Sequence, residues 1–341
     1  MQSTRLKDIS ERMNISINTV SRALNDKSGV SEETREEIKK MANEMDYQPN
    51  VVAQNLRANR TMTIGVIIDD NANPYFGKVL KGIEDTAAKN DYNIILCNTD
   101  NDTKREMKAI DILIKNRVEG IIIHPTALST ELIKKVKKSN LEYVFIGSRP
   151  SNISVDYVGN NNKLGSYMMT KYLLDKGYKD IAFFNLSRNT TSAKERLLGF
   201  KEAHNEYGIT IKKEQIYSID FNDGAYELTK RIYKEKGKLP QCIFCHCDLF
   251  ASDVMMAAYD LGLRVPDDVA IAGYDNINFS ANFRVPLTTV NQPKYDIGSK
   301  SAEILIHRLN KKTTENNFLN IIYEPELIIR ESTWYIKSLI M

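Results

Sequence analysis

The first sixty residues carry the hydrophobic spacing of short helices. In the first helix, apolar side chains recur at i, i+3 and i+7, at Leu6, Ile9 and Met13. Residues 14–16 break the pattern, and Ser16 is a suitable N-cap for a second helix over residues 17–24. Val20 and Leu24 face inward in that helix, because residues four apart share one side. The spacing therefore predicts two short helices joined by a tight turn.

A third helix is predicted to begin at Ser31, where Glu32 and Glu33 complement the positive end of its dipole. Its buried face consists of Ile38, Met41, Ala42 and Met45. Two short helices joined by such a turn form a helix-turn-helix, whose second helix fits the major groove of DNA. The periodicity alone also fits a small three-helix interaction module.

The rest of the chain alternates short apolar runs with amphipathic stretches. The predicted strands are 64–69, 93–98, 120–124, 143–147, 181–185, 215–220, 242–247 and 269–274. The predicted helices include 77–89, 104–114, 164–176, 193–207, 224–235, 252–261 and 296–309. Alternation of strands and helices predicts parallel sheets with helices on both faces. The number of strands indicates two doubly wound lobes, with a ligand cleft at the carboxyl ends of the strands.

The amino-acid composition excludes fewer classes of function than the hydrophobic pattern does. The chain has 341 residues, a hydrophobic fraction of 42% and a charged fraction of 27%, which are typical of a folded protein of two or three domains. A net charge of +3 does not by itself indicate nucleic-acid binding. A DNA-binding site therefore has to be recognised from a local segment of the sequence rather than from the overall charge. We found no membrane-spanning stretch and no signal-peptide core, and we expect a cytoplasmic protein with no membrane partner.

The run from Cys242 to Cys247 contains three cysteines and His246, and it looks like a metal or redox motif. On a strand, however, alternation places Cys242 and His246 on one face and Cys245 and Cys247 on the other. We therefore interpret the cysteines as small buried hydrophobic residues and predict neither a metal nor a cofactor. The sequence also lacks a P-loop, a dinucleotide fingerprint and a nucleophile elbow, so we do not predict an enzyme.

The N-terminal segments carry a specific resemblance. They are residues 6–10 (LKDIS), 16–25 (SINTVSRALN), 30–35 (VSEETR) and 47–50 (YQPN). Together they closely resemble the DNA-binding head of the lactose-repressor/galactose-repressor (LacI/GalR) family of transcriptional regulators. The resemblance implies that Ile17, Asn18 and Arg22 read base edges, with Arg22 suited to guanine and Asn18 to adenine. It implies that the other DNA contacts of the head are Thr4, Lys7, Ser16, Thr19, Ser21 and Asn25.

The segment that follows resembles the hinge helix of the same family. It is capped by Asn50, and at about nine residues it is too short to be a stable helix alone in water. The resemblance implies that Leu56 wedges into the minor groove and that Arg57 contacts phosphate. The alternative for Leu56 is a linker residue packed on the body.

The body resembles the periplasmic sugar-binding fold that this family uses. The matching segments are residues 63–67 (TIGVI), 73–76 (NPYF), 81–84 (KGIE), 117–122 (RVEGII), 196–200 (RLLGF), 273–276 (GYDN), 287–292 (LTTVNQ) and 328–333 (IIREST). The resemblance implies a head over 1–48, a hinge over 49–60 and a body over 61–335. It divides the body into an N-lobe of about 61–159 plus 291–322 and a C-lobe of about 160–290 plus 323–335, with crossings near 158–162, 288–293 and 321–326.

The resemblance also places an effector in the cleft. Arg196 and Asp275 align with the family's main polar contacts, and a guanidinium and a carboxylate suit the hydroxyls of a polyol. Phe221 matches a stacking aromatic. Further candidates for the walls of the cleft are Tyr75, Phe76 and His124. The alternatives are an interlobe ion pair between Arg196 and Asp275, core positions for Phe76 and Phe221, and a hydrogen-bonded loop histidine at His124.

Three positions depart from the family pattern. Asn160-Asn161 stands where an Asp-Asn pair is usual, Cys247-Asp248 replaces Asn-Asp, and Arg149 follows a strand whose end often carries aspartate. We included Asn161, Asp248 and Arg149 among the candidate effector contacts. The loss of carboxylates and the gain of an arginine favour a ligand with more acceptors, such as an acidic or phosphorylated sugar.

The sequence thus predicts a repressor that binds a pseudo-palindromic operator as a homodimer and responds to a small effector, a carbohydrate in the first instance. A purine or a protein corepressor is the alternative within this class. The brevity of the segment after residue 333 favours a dimer over a larger assembly. A sugar-transport receptor and an α/β enzyme are the alternatives from other classes.

Overall fold

The structure is a computed structural model that describes residues 4–47, 60–150, 154–220, 224–311 and 317–334. The chain divides into two compact units, Met1–Thr61 and Met62–Met341, here called the head and the body. Within the described ranges, no helix combines the length and the apolar composition that a bilayer-spanning segment requires.

The head contains the predicted helix-turn-helix followed by a third helix. Its helices are α1 (Leu6–Met13), α2 (Ile17–Leu24) and α3 (Glu32–Glu44). The hydroxyls of Ser16 and Ser31 accept hydrogen bonds from the main-chain N–H groups of Thr19 and Thr34, so the predicted N-cap at Ser16 is confirmed and Ser31 caps the third helix. The small core that these helices share consists of Ile9, Val20, Ala23, Ile38 and Ala42.

The body contains two parallel sheets, as the alternating pattern predicted. The N-lobe is built on a six-stranded sheet with the order β11-β5-β4-β3-β1-β2, and the C-lobe on a four-stranded sheet with the order β7-β6-β8-β9. The N-lobe strands are β1 (Thr63–Ile68), β2 (Asn93–Asn98), β3 (Gly120–Ile123), β4 (Glu142–Ile146), β5 (Asp156–Asn160) and β11 (Asn320–Tyr323). The C-lobe strands are β6 (Ile181–Leu186), β7 (Ile216–Ile219), β8 (Cys242–Cys245) and β9 (Ala270–Ala272).

Helices cover both faces of each sheet. In the N-lobe they are α4 (Pro74–Lys89), α5 (Thr103–Lys115), α6 (Thr130–Lys138) and α11 (Lys294–Lys311). In the C-lobe they are α7 (Asn162–Asp175), α8 (Thr191–Glu206), α9 (Ala225–Lys236) and α10 (Asp248–Asp260). Each lobe has two apolar layers, because the alternating residues of its strands face opposite sides.

Among the residues that the structure describes, three segments connect the lobes. The chain passes from β5 into α7, returns through β10 (Thr289–Asn291) into α11, and passes from β11 into β12 (Glu326–Ile328). The second and third connections pair with each other, because β10 and β12 form an antiparallel two-stranded ribbon. The carboxyl ends of both parallel sheets lie beside this junction, which brings residues of both lobes to one cavity.

Two glycines allow a close helix contact in the N-lobe. A Cβ atom on Gly82 of α4 would collide with the main-chain oxygen of Tyr295, and a Cβ atom on Gly298 of α11 would collide with that of Val79. Only glycine permits such an approach of two helix backbones. The α4–α11 pair therefore holds two helices that are far apart in the chain directly against each other.

Candidate functional site

The exposed face of α2 carries the side chains that were predicted to read bases. Ile17 is 45% exposed although it is a large apolar residue. Asn18 is exposed, and Arg22 is half-buried at the end of the same helix. An apolar side chain left in solvent beside amide and guanidinium donors fits a surface that meets base edges.

Arg22 is held by the loop that follows α2. Its Nε atom donates to the main-chain oxygen of Ser28 at 2.9 Å, and its Nη2 atom donates to the same oxygen. These bonds fix the orientation of the guanidinium and leave its remaining N–H groups available to an acceptor.

Other candidates in the head make local structural contacts. Thr4 donates to the main-chain oxygen of Met45 at 2.7 Å, and Asn25 donates to that of Ser21 at 2.7 Å. Lys7 lies 3.5 Å from Glu11 on the surface of α1. The hinge candidates Asn50, Leu56 and Arg57 lie outside the described residues, and their roles remain predictions.

The body contains a cavity of about 80 Å³ between its two lobes, here called the cleft cavity. Its lining comes from the positions at which parallel strands end: Asp69 after β1, His124 after β3, Asn160 in β5, His246 after β8 and Asp275 after β9. This is the place where a doubly wound fold binds its ligand. The predicted residues Tyr75, Phe76, His124, Arg196 and Asp275 all line it.

Arg196 and Asp275 form the polar centre of the C-lobe wall. Their Nη2 and Oδ1 atoms are 3.7 Å apart, and both side chains are less than a tenth exposed. Arg196 also donates to Asn162 Oδ1 at 3.0 Å and to the main-chain oxygen of His246, and its guanidinium lies 3.5 Å from the ring centroid of Tyr274. The interlobe ion pair is wrong as an alternative, because α8 and the loop after β9 both belong to the C-lobe.

The cavity favours a neutral state of some groups near this pair. Burial raises the pKa of Asp275, although the Arg196 guanidinium opposes that shift. Burial and the same guanidinium hold the pKa of His246 well below its ordinary range. His246 is therefore a neutral imidazole near neutral pH, with Nδ1 3.0 Å from Asn185 Oδ1.

The N-lobe wall contains aromatic rings and an Asp–His contact. Tyr75 and Phe76 pack edge to face with centroids 5.1 Å apart, and Phe76 meets the His124 ring in the same way at 4.9 Å. Phe76 is also part of the N-lobe core, so its core and cavity roles coexist. His124 Nδ1 lies 3.2 Å from Asp69 Oδ2, but the direction of this contact does not suit a hydrogen bond.

Two buried polar atoms of cavity-lining residues have no hydrogen-bond partner within the described part of the chain. They are His124 Nδ1 and Asn160 Oδ1. Asn160 uses its Nδ2 atom to donate to the Tyr274 hydroxyl at 2.9 Å, which leaves its oxygen free to accept. Buried polar groups without a partner are costly, and a bound polar molecule would satisfy them.

Three predicted effector contacts lie elsewhere. The Arg149 side chain lies outside the cleft cavity, because it donates to Asn320 and stacks on the Tyr157 ring, 4.9 Å from the ring centroid. Asn161 caps α7 by accepting from the Leu164 N–H group at 3.1 Å. Asp248 is buried behind the lining, where it accepts from Thr289 Oγ1 at 2.5 Å and from the Ile277 N–H group at 2.9 Å.

Phe221 lies outside the described residues. The cavity also contains polar residues that the sequence analysis did not select: Asp69, Asp70, Asn73, Asn101, Asn162, Thr190, Ser192, His246 and Gln292. Many of them stand at or just after the end of a strand or near the start of a helix. That position is the sequence feature by which they could have been identified as lining residues.

The cysteines follow the predicted alternation, since Cys242 packs in one C-lobe layer and Cys245 and Cys247 in the other.

Two family patterns match the chain over complementary ranges. Residues 5–50 match the family described as bacterial regulatory proteins of the lacI family. Residues 61–329 match the family described as periplasmic binding proteins and the sugar-binding domain of the LacI family. The chain belongs to the LacI family. It is a DNA-binding transcriptional regulator, and the resemblance of the head and body segments is confirmed.

Relatives of this LacI-family regulator match it over nearly its whole length. The transcriptional regulator RegA of Clostridium saccharobutylicum is 36% identical over 334 residues, covering 97% of this chain and 99% of the relative. The transcriptional repressor PurR of Aliivibrio fischeri is 32% identical over 330 residues, covering 96% and 97%. These relatives are regulators of transcription rather than enzymes.

Solved structures show the same architecture. The lac repressor dimer bound to operator has a TM-score of 0.85 at 24% identity and covers 97% of this chain and 99% of its own, which supports the fold of this LacI-family regulator. A LacI-family regulator from Enterococcus faecium with bound ribose has a TM-score of 0.72 at 28% identity and covers 81% and 100%.

Proposed function

We propose that this regulator binds a pseudo-palindromic operator as a homodimer and that a small neutral carbohydrate in the cleft cavity controls the binding. The observation that carries the proposal is the buried Arg196–Asp275 pair beside the unpartnered atoms Asn160 Oδ1 and His124 Nδ1. Together they offer a guanidinium donor, a carboxylate acceptor and two unused polar positions. Sugar hydroxyls both donate and accept, so they match this set.

The charges of the cavity favour a neutral ligand. Asp69, Asp70 and Asp275 line it, while the guanidinium of Arg196 already faces Asp275. Arg149, on which the expectation of an acidic or phosphorylated sugar depended, lies outside the cavity. An anion would meet several carboxylates without a cation of its own, which disfavours its binding. The ribose in the Enterococcus faecium regulator agrees with a neutral sugar.

A purine is the second candidate. The observation that favours it is the similarity to PurR repressors at 32% identity over nearly the whole chain. The edge-to-face rings of Tyr75 and Phe76 offer apolar contact that suits a base as well as a sugar.

On DNA, we propose that two copies of α2 enter successive major grooves of the operator. Ile17, Asn18 and Arg22 then meet base edges, and the caps and surface polar groups of the head meet phosphates. We also propose that Leu56 wedges into the central minor groove. Effector binding changes the relative orientation of the two lobes. That change alters the spacing between the hinge segments (residues 49–60) of the two copies.

A thermal-unfolding screen tests the ligand assignment. The purified protein is heated with neutral sugars such as D-ribose, with sugar phosphates, and with purine bases such as hypoxanthine. A ligand at 100 times its Kd stabilises the folded state by about 2.7 kcal/mol, and we expect that effect with a neutral sugar. Stabilisation by a purine base alone would select the second candidate, and stabilisation by sugar phosphates alone would contradict the charge argument.

A further inference from the structure

Lys294 is a buried lysine beside the cleft cavity. It is the first residue of α11, and its side chain and backbone together are 5% exposed. Its ammonium donates to the main-chain oxygens of Asp275, of Asn276 at 3.1 Å and of Gln292 at 3.2 Å. Three donors thus meet three acceptors, and no carboxylate within the described ranges lies at ion-pair distance.

The carbonyls that Lys294 binds belong to an unusual turn. Asp275 has a φ of 112° and Asn276 a φ of 49°, so two successive residues with side chains adopt positive φ. Such conformations persist only where the surroundings hold them. The same turn presents the Asp275 carboxylate to the cleft cavity.

The turn also contacts the β10–α11 connection and the segment that follows β12. On the β10 side, the Asp275 N–H group donates to the Val290 oxygen at 2.8 Å, and Gln292 Nε2 donates to Asp275 Oδ1 at 2.6 Å. After β12, Arg330 Nη2 donates to Asn276 Oδ1 at 2.8 Å. The Asp275–Asn276 turn is therefore hydrogen-bonded directly to both segments, and the Asp275 carboxylate itself is hydrogen-bonded to Gln292.

We propose that Lys294 is the positioning residue that holds the Asp275–Asn276 turn in its positive-φ conformation and fixes that turn to the β10–α11 connection. The inference rests on the proposed function in one respect, namely that Asp275 binds the effector. Lys294 does not touch the ligand. It sets the direction of the carboxylate that does, and it joins the C-lobe wall of the cavity to the first turn of an N-lobe helix.

The test is amide hydrogen exchange of the full-length protein without ligand or DNA. The variants are Lys294→Met, which removes all three donors, and Lys294→Gln, which keeps a shorter amide donor. The matched control is Lys300→Met on the same helix, because Lys300 is partly exposed and pairs only with Glu303 among the described residues. We expect exchange in residues 273–278 to become at least tenfold faster in Lys294→Met and to a smaller extent in Lys294→Gln. Lys300→Met should behave as wild type.

Strands β6 and β8 provide the internal reference, since they lie in the same lobe as the turn and the hydrogen bonds of Lys294 go to Asp275, Asn276 and Gln292 instead. Unchanged exchange at residues 273–278 in Lys294→Met would overturn the inference, and so would an acceleration spread equally over β6 and β8. If Lys294→Met does not fold, Lys294→Gln decides by the same criteria. This measurement needs no effector, so a failed ligand screen would refute the proposed effector without affecting it.

Discussion

At the scale of single residues, position in the fold decides what a side chain can do. The sequence analysis predicted that both Arg196 and Arg149 line the cleft. Arg196 is buried against Asp275, whereas Arg149 lies outside the cavity beside Asn320. The sequence could identify Arg196 because it belongs to a helical segment, residues 196–200, that resembles the family. Arg149 stands in a loop after β4, whose direction depends on the tertiary contacts of Ser148 and Thr191.

The role of Asp275 is testable by substitution. Asp275→Asn keeps an acceptor oxygen for Gln292 but removes the negative charge that sugar hydroxyls prefer as an acceptor. We expect calorimetric affinity for the compound selected in the thermal screen to fall by tenfold or more, while operator affinity without that compound changes little. Asp267→Asn, at a surface pair with Arg264, is the control. Undiminished affinity in Asp275→Asn would remove this residue from the site.

The role of Arg22 is testable by its effect on base preference. If its guanidinium contacts guanine, Arg22→Ala should weaken operator binding by about 1–3 kcal/mol and relax specificity at one symmetric position. Binding selection on randomised duplexes at one salt concentration measures both effects. Arg12→Ala, a substitution near the end of α1, is the control. A uniform loss on all sequences with an intact base preference would make Arg22 a phosphate contact instead.

At the scale of elements, the long periodic helices and most of the apolar strands were predictable, while one helix and four strands were not. Helix α6 and strands β5, β10, β11 and β12 were not predicted. Strand β5 has the sequence DYVGN, which has little β-propensity of its own. It forms because β4 and β11 flank it and because Arg308 binds Asp156 with two contacts of 2.8 Å. Such long-range partners cannot be read from local spacing.

The N-cap of α2 gives a prediction at this scale. Ser16→Ala removes the hydroxyl that accepts from the Thr19 N–H group at 3.0 Å, which should destabilise the helix by about 1 kcal/mol. Amide exchange in residues 17–24 of the full-length protein should then be roughly fivefold faster. Ser28→Ala, in the exposed loop after α2, should leave exchange unchanged, because only the main-chain oxygen of Ser28 binds Arg22. Equal exchange in Ser16→Ala and wild type would contradict the cap.

At the scale of the whole molecule, the body contains several carboxyl groups that burial keeps from ionising readily. Burial raises the pKa of Glu106 to about 7, and Glu106 is 1% exposed, with Oε1 2.7 Å from the Thr126 N–H group that donates to it. Between the pKa of an unfolded glutamate and about 7, the folded protein holds a proton that the unfolded chain has released. This group's contribution to stability is therefore lost as pH rises through that window.

Glu106→Gln tests this pH dependence. The amide keeps an oxygen to accept from Thr126 but cannot ionise, so the variant should gain stability relative to wild type as pH rises from about 5 to 8. The limit of the gain is on the order of 3 kcal/mol. Thermal unfolding of both proteins at the two pH values measures it, with Glu84→Gln on the exposed face of α4 as the control. A gain that is independent of pH would contradict the raised pKa.

The pairing of α4 with α11 has a consequence for biosynthesis. Thr86 of α4 and Ser299 of α11 hydrogen-bond at 2.8 Å although 213 residues separate them in the chain. At a ribosomal rate of roughly 5–20 residues per second, the apolar face of α4 waits roughly 10–40 s for its partner helix. The contiguous part of the C-lobe leaves the ribosome during that interval. The N-lobe, although its translation begins first, is thus completed only after the contiguous part of the C-lobe has left the ribosome, and a nascent chain stalled before α11 exposes Val79 and Ile83 to chaperones.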